Sequence, residues 1–432
     1  MLSIRERALA SWTDLPPAAR RVLVADLLST AGSGIVLPFL AIYAGRVREL
    51  GPTVGAAAVA AIAVGSLPAN LVAGAAADRY GALRVLVAGW VLAAAGDLFL
   101  LSSGQAPTVL AAAGLIGLGV GTAYPATSTL LAEVTPPSER SLVFAVQYGL
   151  SNIGLSLGIG VSAVIVTHPN LHRFQALYAV DAITFLIAGA VLLQARALPR
   201  GATPAPNPSD PSAETASGVD PNPETGTGGY RQVFTDSAFR WLCLVQVLLV
   251  VFGYAQFHAA LPLYLSRPDG LQPSLIAVVF IANTVFVSLA ALPAGRLAHR
   301  IPPLRLITSG AACFAASWLL LWQSRDSTWP SVGLAVAAAV VMGLGEVLLA
   351  PAVGPLVNQL APAPLRGRYN ALNAVVLSMG TIIGPGLVAA LYTGATAGPL
   401  FAVLTGGCLI ATLLTARPLA PKSLHGMAES SL

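Results

Sequence analysis

The stretch Gly117-Leu118-Gly119-Val120-Gly121-Thr122-Ala123-Tyr124-Pro125 returns 226 residues later as Gly343-Leu344-Gly345-Glu346-Val347-Leu348-Leu349-Ala350-Pro351, with the same Gly-Leu-Gly start and closing proline. The register then crosses a loop and a second apolar run, where Arg140 falls on Arg366, Gly154 on Gly380, Gly158 on Gly384 and Gly160 on Gly386. Upstream it drifts only in loops. Leu37-Pro38 matches Leu261-Pro262 at an offset of 224, and Gly74, Arg79 and Arg84 match Gly295, Arg300 and Arg305 at 221. Chance does not hold one register over two apolar runs and their connection, so the chain is a duplicated unit.

Composition says what that unit is made of. Of the 432 residues only 9% are charged and 56% are apolar, where a water-facing protein carries about a quarter charged residues. A bilayer is the solvent that matches, and it requires every backbone polar group to be paired within helices or a closed barrel. The apolar runs are continuous, which excludes barrel alternation. Cuts at charge clusters and Pro/Gly breaks leave spans near 21–43, 55–75, 84–103, 107–132, 142–166 and 174–195, then 237–265, 273–294, 304–323, 330–357, 370–392 and 397–416. Each suits a hydrocarbon core that needs about 20 helical residues. The expected fold class is therefore an all-α polytopic membrane protein, with twelve transmembrane helices in two six-helix pseudo-symmetric bundles.

With the N-terminus placed inside, 18 of the 23 Lys and Arg residues fall in inside segments. Only Arg46, Arg48, Arg173, Arg267 and Arg325 fall outside. That bias orients a multi-pass protein with both termini cytoplasmic, and it also accounts for the basic net charge of +5 without a nucleic-acid partner. One Lys against 22 Arg, with abundant Ala and Gly, points to a GC-rich bacterial source. The first span contains Asp26 and no small-residue cleavage site, so it reads as a permanent helix. Cys243, Cys313 and Cys408 lie inside spans without metal-ligand spacing, as packing residues.

The domain reading is residues 1–198 for the first bundle, 199–235 for a flexible cytoplasmic linker rich in Pro, Gly, Ser, Thr, Asp and Glu, and 236–432 for the second. A duplicated six-helix unit suits alternating access around a midplane site.

Between spans two and three the chain reads Gly74-Ala-Ala-Ala-Asp78-Arg79-Tyr80-Gly81-Ala82-Leu83-Arg84. This resembles the G-x-x-x-D-R-x-G-x-x-R signature of the major facilitator superfamily, and span count, repeat, central loop and orientation agree along the whole chain. Residue chemistry gives each position a task. Gly74 permits close helix approach, Asp78 suits a neighbouring helix N-terminus, Gly81 permits a tight turn, and Arg79 and Arg84 can pair with Glu133 or Glu139. A simple positive-inside hairpin is the plainer reading. The second copy, around Gly295 and Arg300, has His299 in place of the aspartate, so the resemblance puts the cytoplasmic gate mainly on Asp78, Arg79 and Arg84. Two departures qualify the likeness to the family's drug/proton antiporters. Ala113 stands where proton-coupled members often carry Arg in span four, and the G-x-x-x-G-P form occurs at Gly380, Gly384 and Pro385 in span eleven, whereas Gly158 is followed by Ile159 in span five.

Ionisable residues inside spans are functional candidates, since inserting one costs at least about 2.5–3.5 kcal/mol. Glu346, whose repeat mate is Val120, is the leading candidate for a titrating carboxylate or a counter-ion for cationic cargo. Asp26 and His258 follow, and Asp181 and Asp97 are weaker. A structural ion pair, an interfacial contact or a packing histidine remain open for them. Candidate cavity residues are Phe39, Tyr43, Tyr124, Gln147, Tyr148, Asn152, Tyr254, Gln256, Asn283, Asn370 and Asn373, with helix packing as the alternative for each. No catalytic constellation, metal cluster or phosphate-cradling loop is present, so neither an enzyme nor a bound cofactor is expected. The resulting expectation is a monomeric secondary transporter in the cytoplasmic membrane that exports small amphiphilic or lipophilic compounds against protons. Uptake or facilitated diffusion of a metabolite is the rival within transport, and a non-transporting receptor or assembly factor the rival outside it.

Overall fold

The computed structural model describes residues 12, 15–165, 170–194, 229–265, 271, 273–298, 300–324, 328–392 and 397–416. Residues 199–228 of the expected linker, His299, and the side chains of His258 and Pro385 lie outside the described residues. Among the described residues twelve helices are long and apolar enough to cross a membrane. They are α1 (Pro17–Val47), α2 (Pro52–Tyr80), α3 (Ala82–Ser102), α4 (Ala106–Val134), α5 (Arg140–Ile165) and α6 (Leu171–Gln194). The second half supplies α7 (Ser237–Leu265), α8 (Pro273–Ala298), α9 (Pro303–Gln323), α10 (Trp329–Leu360), α11 (Arg366–Leu391) and α12 (Gly398–Ala416).

Local chemistry explains the starts and breaks. Proline occupies the first helical turn of α2, α4, α9 and α10, where its missing N–H is no loss. Pro38 breaks α1 into a short 3₁₀ turn, Leu37–Phe39, and π turns occur at Tyr43–Val47 in α1 and Val250–Tyr254 in α7. Gly81 turns the chain between α2 and α3 at φ 91°, a conformation that costs any other residue a steric penalty. Part of the expected linker is structured. Gly229–Thr235 forms a short helix, because Val233 is fully buried and the Tyr230 hydroxyl donates to the Leu71 carbonyl of the other half.

Buried apolar side chains gather in one large cluster within residues 233–411 and two within 15–192. Between the halves the main contacts are α2 with α11, α5 with α8, α5 with α10, and α4 with α11. Since α2 corresponds to α8, α4 to α10 and α5 to α11 in the repeat, these four contacts are two contacts, each made twice. Among the described residues α1 and α7 make no comparable contact.

The duplication is visible in atomic detail. A Cβ placed on Gly74 would collide with the Ala371 Cβ, and one placed on its mate Gly295 would collide with the Cβ of Ala145, the mate of Ala371. The first copy adds a charge. The Asp78 carboxylate accepts from the backbone N–H of Gly367 (2.6 Å) and of Arg368 (3.3 Å). It also pairs with the Arg368 guanidinium at 3.5 Å. This is the N-terminus of α11, where free N–H groups and the helix dipole favour an anion. Arg79, expected to seek a carboxylate, lies over the Tyr80 ring at 5.3 Å. Asn370 reinforces the same end of the molecule, donating across the halves to Thr129 Oγ1 (3.2 Å) and, within its own half, to Asn358 Oδ1 of α10 (2.9 Å).

Asp78→Asn removes a charge-assisted acceptor whose bonds are each worth about 1.5–3 kcal/mol. Paired spin labels on the α2–α3 and α10–α11 loops should then report a larger population of long distances, and an unchanged distribution would refute the latch. Gly295→Leu should give the same opening by steric force, with a stability loss of about 1–3 kcal/mol. Gly333→Leu, at a site where a Cβ meets nothing within 4 Å, should leave both the distances and the melting temperature unchanged.

Candidate functional site

Helix α5 organises the centre of the molecule. Gln147 and Ser151 are one turn apart and so share a face. The Ser151 hydroxyl donates to Asp26 Oδ2 on α1 at 2.8 Å, and Gln147 also hydrogen-bonds that carboxylate. Tyr148, about 100° round the helix, faces the other half and donates its hydroxyl to Glu346 Oε2 on α10. Asn152 steadies it, donating to the Tyr148 carbonyl at 2.9 Å. The second Glu346 oxygen takes a longer contact from Asn283 Nδ2 of α8 at 3.4 Å, and that amide also donates to the Ala339 carbonyl at 3.0 Å.

Both carboxylates are buried, Glu346 at 6% exposure and Asp26 at 8%. Leaving either without donors in a low-dielectric interior would be costly, and each has two polar partners. Between them lie Tyr124 of α4 and Tyr254 of α7. Tyr124 is in electrostatic reach of Asp26, and Tyr254 of both Glu346 and Tyr124. The two rings sit well inside their helices and yet keep 47% and 36% of their surface open, so they line a space rather than pack. The arrangement is an aromatic wall between two carboxylates that belong to different halves. It can receive a hydrophobic body and a positive charge or a proton together.

The sequence candidates divide accordingly. Asp26, Tyr124, Gln147, Tyr148, Asn152, Tyr254, Asn283 and Glu346 converge. Others do not. Tyr43 is fully buried in the first half and donates to the Leu100 carbonyl at 2.8 Å, with Phe39 packed on the same cluster. Gln256 is fully buried and braces α7 against α11 through the Gly384 carbonyl (3.2 Å). Asn370 belongs to the closed end described above, and Asn373 is buried on α11 with Oδ1 unpaired. Asp181 faces Asp97 inside the first half, away from Glu346. Of His258 only the helical backbone is described. Ser151 escaped the sequence reading, though its i, i+4 spacing from Gln147 was a usable signal. Arg368 and the Gly367 N–H escaped it too, because a backbone donor at a distant helix start carries no side-chain signature.

Comparison with known proteins sets this geometry in a family. The chain is 23% identical over 373 residues to the quinolone resistance protein NorA of Staphylococcus aureus strain MRSA252, covering 86% of this chain and 88% of the relative. It is 25% identical over 392 residues to a Na(+), Li(+), K(+)/H(+) antiporter of Planococcus maritimus, covering 84% and 87%. In fold it is similar to a bacterial homologue of the iron transporter ferroportin solved in an outward-facing state, with a TM-score of 0.70 at 15% identity over 92% of this chain and 98% of that one. The family model for the Major Facilitator Superfamily matches residues 22–272 and 259–429. Nearly the whole chain is thus accounted for, and this multi-pass membrane protein belongs to the major facilitator superfamily of transporters.

Proposed function

We propose that the protein exports small amphiphilic or lipophilic compounds from the bacterial cytoplasm in exchange for protons, as a monomer with both termini inside. One observation carries this reading: Tyr148 donates its hydroxyl to Glu346, a buried carboxylate across the joint between the halves. A carboxylate accepts a stronger hydrogen bond than a neutral acid does. Its ionisation state therefore acts on the joint itself.

The cycle follows from that coupling. With Glu346 ionised, Tyr148 ties α5 to α10 and Asn283 holds the second oxygen. A proton arriving from outside neutralises the carboxylate and weakens the tie, so the halves rock and the Asp78 latch at α11 opens. On the inner side the proton leaves to water, and a lipophilic compound, with any positive charge it bears, takes its place between Tyr124 and Tyr254. Asp26 shares α5 with this switch and offers a second carboxylate to the same cargo. Efflux is supported by the aromatic wall and by the resistance named in one relative, and ion exchange by the antiport named in another. The inward excess of arginine supports the orientation.

Reconstituted in liposomes with a pH-sensitive dye inside, the wild-type protein should move protons when a compound of this class is added, from a panel that includes quinolones and monovalent cations. Glu346→Gln should abolish that movement while leaving compound binding measurable. Tyr148→Phe should reduce it by about tenfold, equivalent to about 1.4 kcal/mol. Proton flux with no compound in the panel, or flux indifferent to Glu346→Gln, would overturn the proposal.

A further inference from the structure

A second pair of acids lies inside the first half, apart from the site above. Asp97 on α3 and Asp181 on α6 are 0% and 1% exposed, and their carboxyl groups are within hydrogen-bonding reach of each other. Among the described residues neither Asp97 oxygen meets an N–H or O–H donor. The Asp181 carboxyl has a long contact from Thr184 Oγ1 at 3.4 Å, and that hydroxyl is chiefly committed to the Asp181 carbonyl at 2.7 Å. A third polar group points to the same place. Tyr178 on α6 is 1% exposed, its hydroxyl has no hydrogen-bond partner, and it lies in electrostatic reach of both carboxyls.

Among the described residues no cation acts on either carboxyl. The titratable groups facing the pair are Tyr178 from α6 and, behind it, Tyr43 from α1, with ring centroids 4.9 Å apart. From α4, Ile116 and the Ala112 carbonyl press against Gly96 beside Asp97, and from α1, Gly32 sits against Asp181 and Thr184. Beyond Tyr43 stands Arg48, at the far end of α1, whose Nε donates to the Tyr43 hydroxyl at 2.8 Å. Two carboxylates in contact in such packing cannot both stay ionised. With one proton between them the pair carries a single negative charge and makes the hydrogen bond its spacing implies.

We propose that Asp97 and Asp181 form a second proton-binding site, in which the two carboxyls hold one shared proton between α3, α6 and α1. Tyr178 is the group through which that proton exchanges, toward the Tyr43–Arg48 end of the half and away from the Asp78 latch. The site stands whether or not the export reading holds, because its occupancy is readable without any cargo.

The test is infrared spectroscopy of the purified full-length protein in detergent, with sodium and lithium absent and the buffer neutral. Asp97→Asn and Asp181→Asn each keep the net charge of the protonated pair and place an amide donor against the remaining carboxylate, so both variants should fold. Each should lose the same protonated-carboxyl stretching band, and that band should survive in Glu346→Gln and in Asp26→Asn. Adding sodium or lithium chloride to the wild type should leave it in place. Survival of the band in both pair variants would overturn the proposal. So would its removal by either salt, which would make the pair a site for an alkali cation instead.

Discussion

Two helical halves meeting in a bilayer gain little by burying apolar surface against each other, because lipid chains already solvate that surface. What holds them is close backbone approach and a few polar bonds, and both are concentrated at one end of this molecule. Gly74 against Ala371 and Gly295 against Ala145 bring the helices together twice, by the same repeat geometry. Asp78 then places a carboxylate on the free N–H groups of α11 and on Arg368. A joint built this way opens by losing a small number of bonds, each of about a kcal/mol or more, without exposing a core. That is the energetic condition for rocking between two states.

The centre of the molecule obeys the same constraint from the other side. Burying a carboxylate in a bilayer protein is costly and partners offset the cost; α5 supplies a partner to each central carboxylate, and Asn283 of α8 supplies Glu346 with a second. Adjacent residues of one helix, Gln147 and Tyr148, thereby address Asp26 in their own half and Glu346 in the opposite one. Helix α5 also makes two of the contacts that join the halves, with α8 and α10. A change of charge at either acid is therefore felt by a helix that forms the joint, and no long pathway through packed side chains is needed.

The fold was legible in the sequence because its signals are local or repeated. Apolar run length marks each span, and the constant offset of Gly117, Pro125 and Arg140 from their mates pairs the halves. Chemistry at the centre was half legible. An acid such as Glu346 inside an apolar run announces itself, but its donors do not, since Tyr148 and Asn283 are ordinary residues until three helices are packed. Tyr43 and Gln256 show the opposite error. Polar side chains within spans look like cavity residues, yet here each satisfies a backbone carbonyl between packed helices, a need that no sequence pattern displays. The pairing of Asp97 with Asp181 was invisible for the same reason, as it depends on the contact of α3 with α6.

The departures from internal symmetry are what tie the architecture to chemistry. The latch exists once, with Asp78 in the first copy, although the glycine contact beside it exists twice. Glu346 likewise has no acidic mate: it answers to Val120, and its support Asn283 answers to Ile62 at the offset of 221 that relates α2 to α8. The two asymmetric devices lie in opposite halves, and each reaches across to the other, Asp78 to α11 and Glu346 to α5. In the repeat α5 and α11 are equivalent helices. Each half therefore presents its own version of one helix to the other half's carboxylate. One of those carboxylates is fastened to a helix start by backbone bonds that persist while the joint is closed. The other is held by Tyr148 across the joint and by Asn283 within its own half, through bonds whose strength depends on its charge. A symmetric ancestor could have supplied the joint, but only the divergence of its two copies separates holding from sensing.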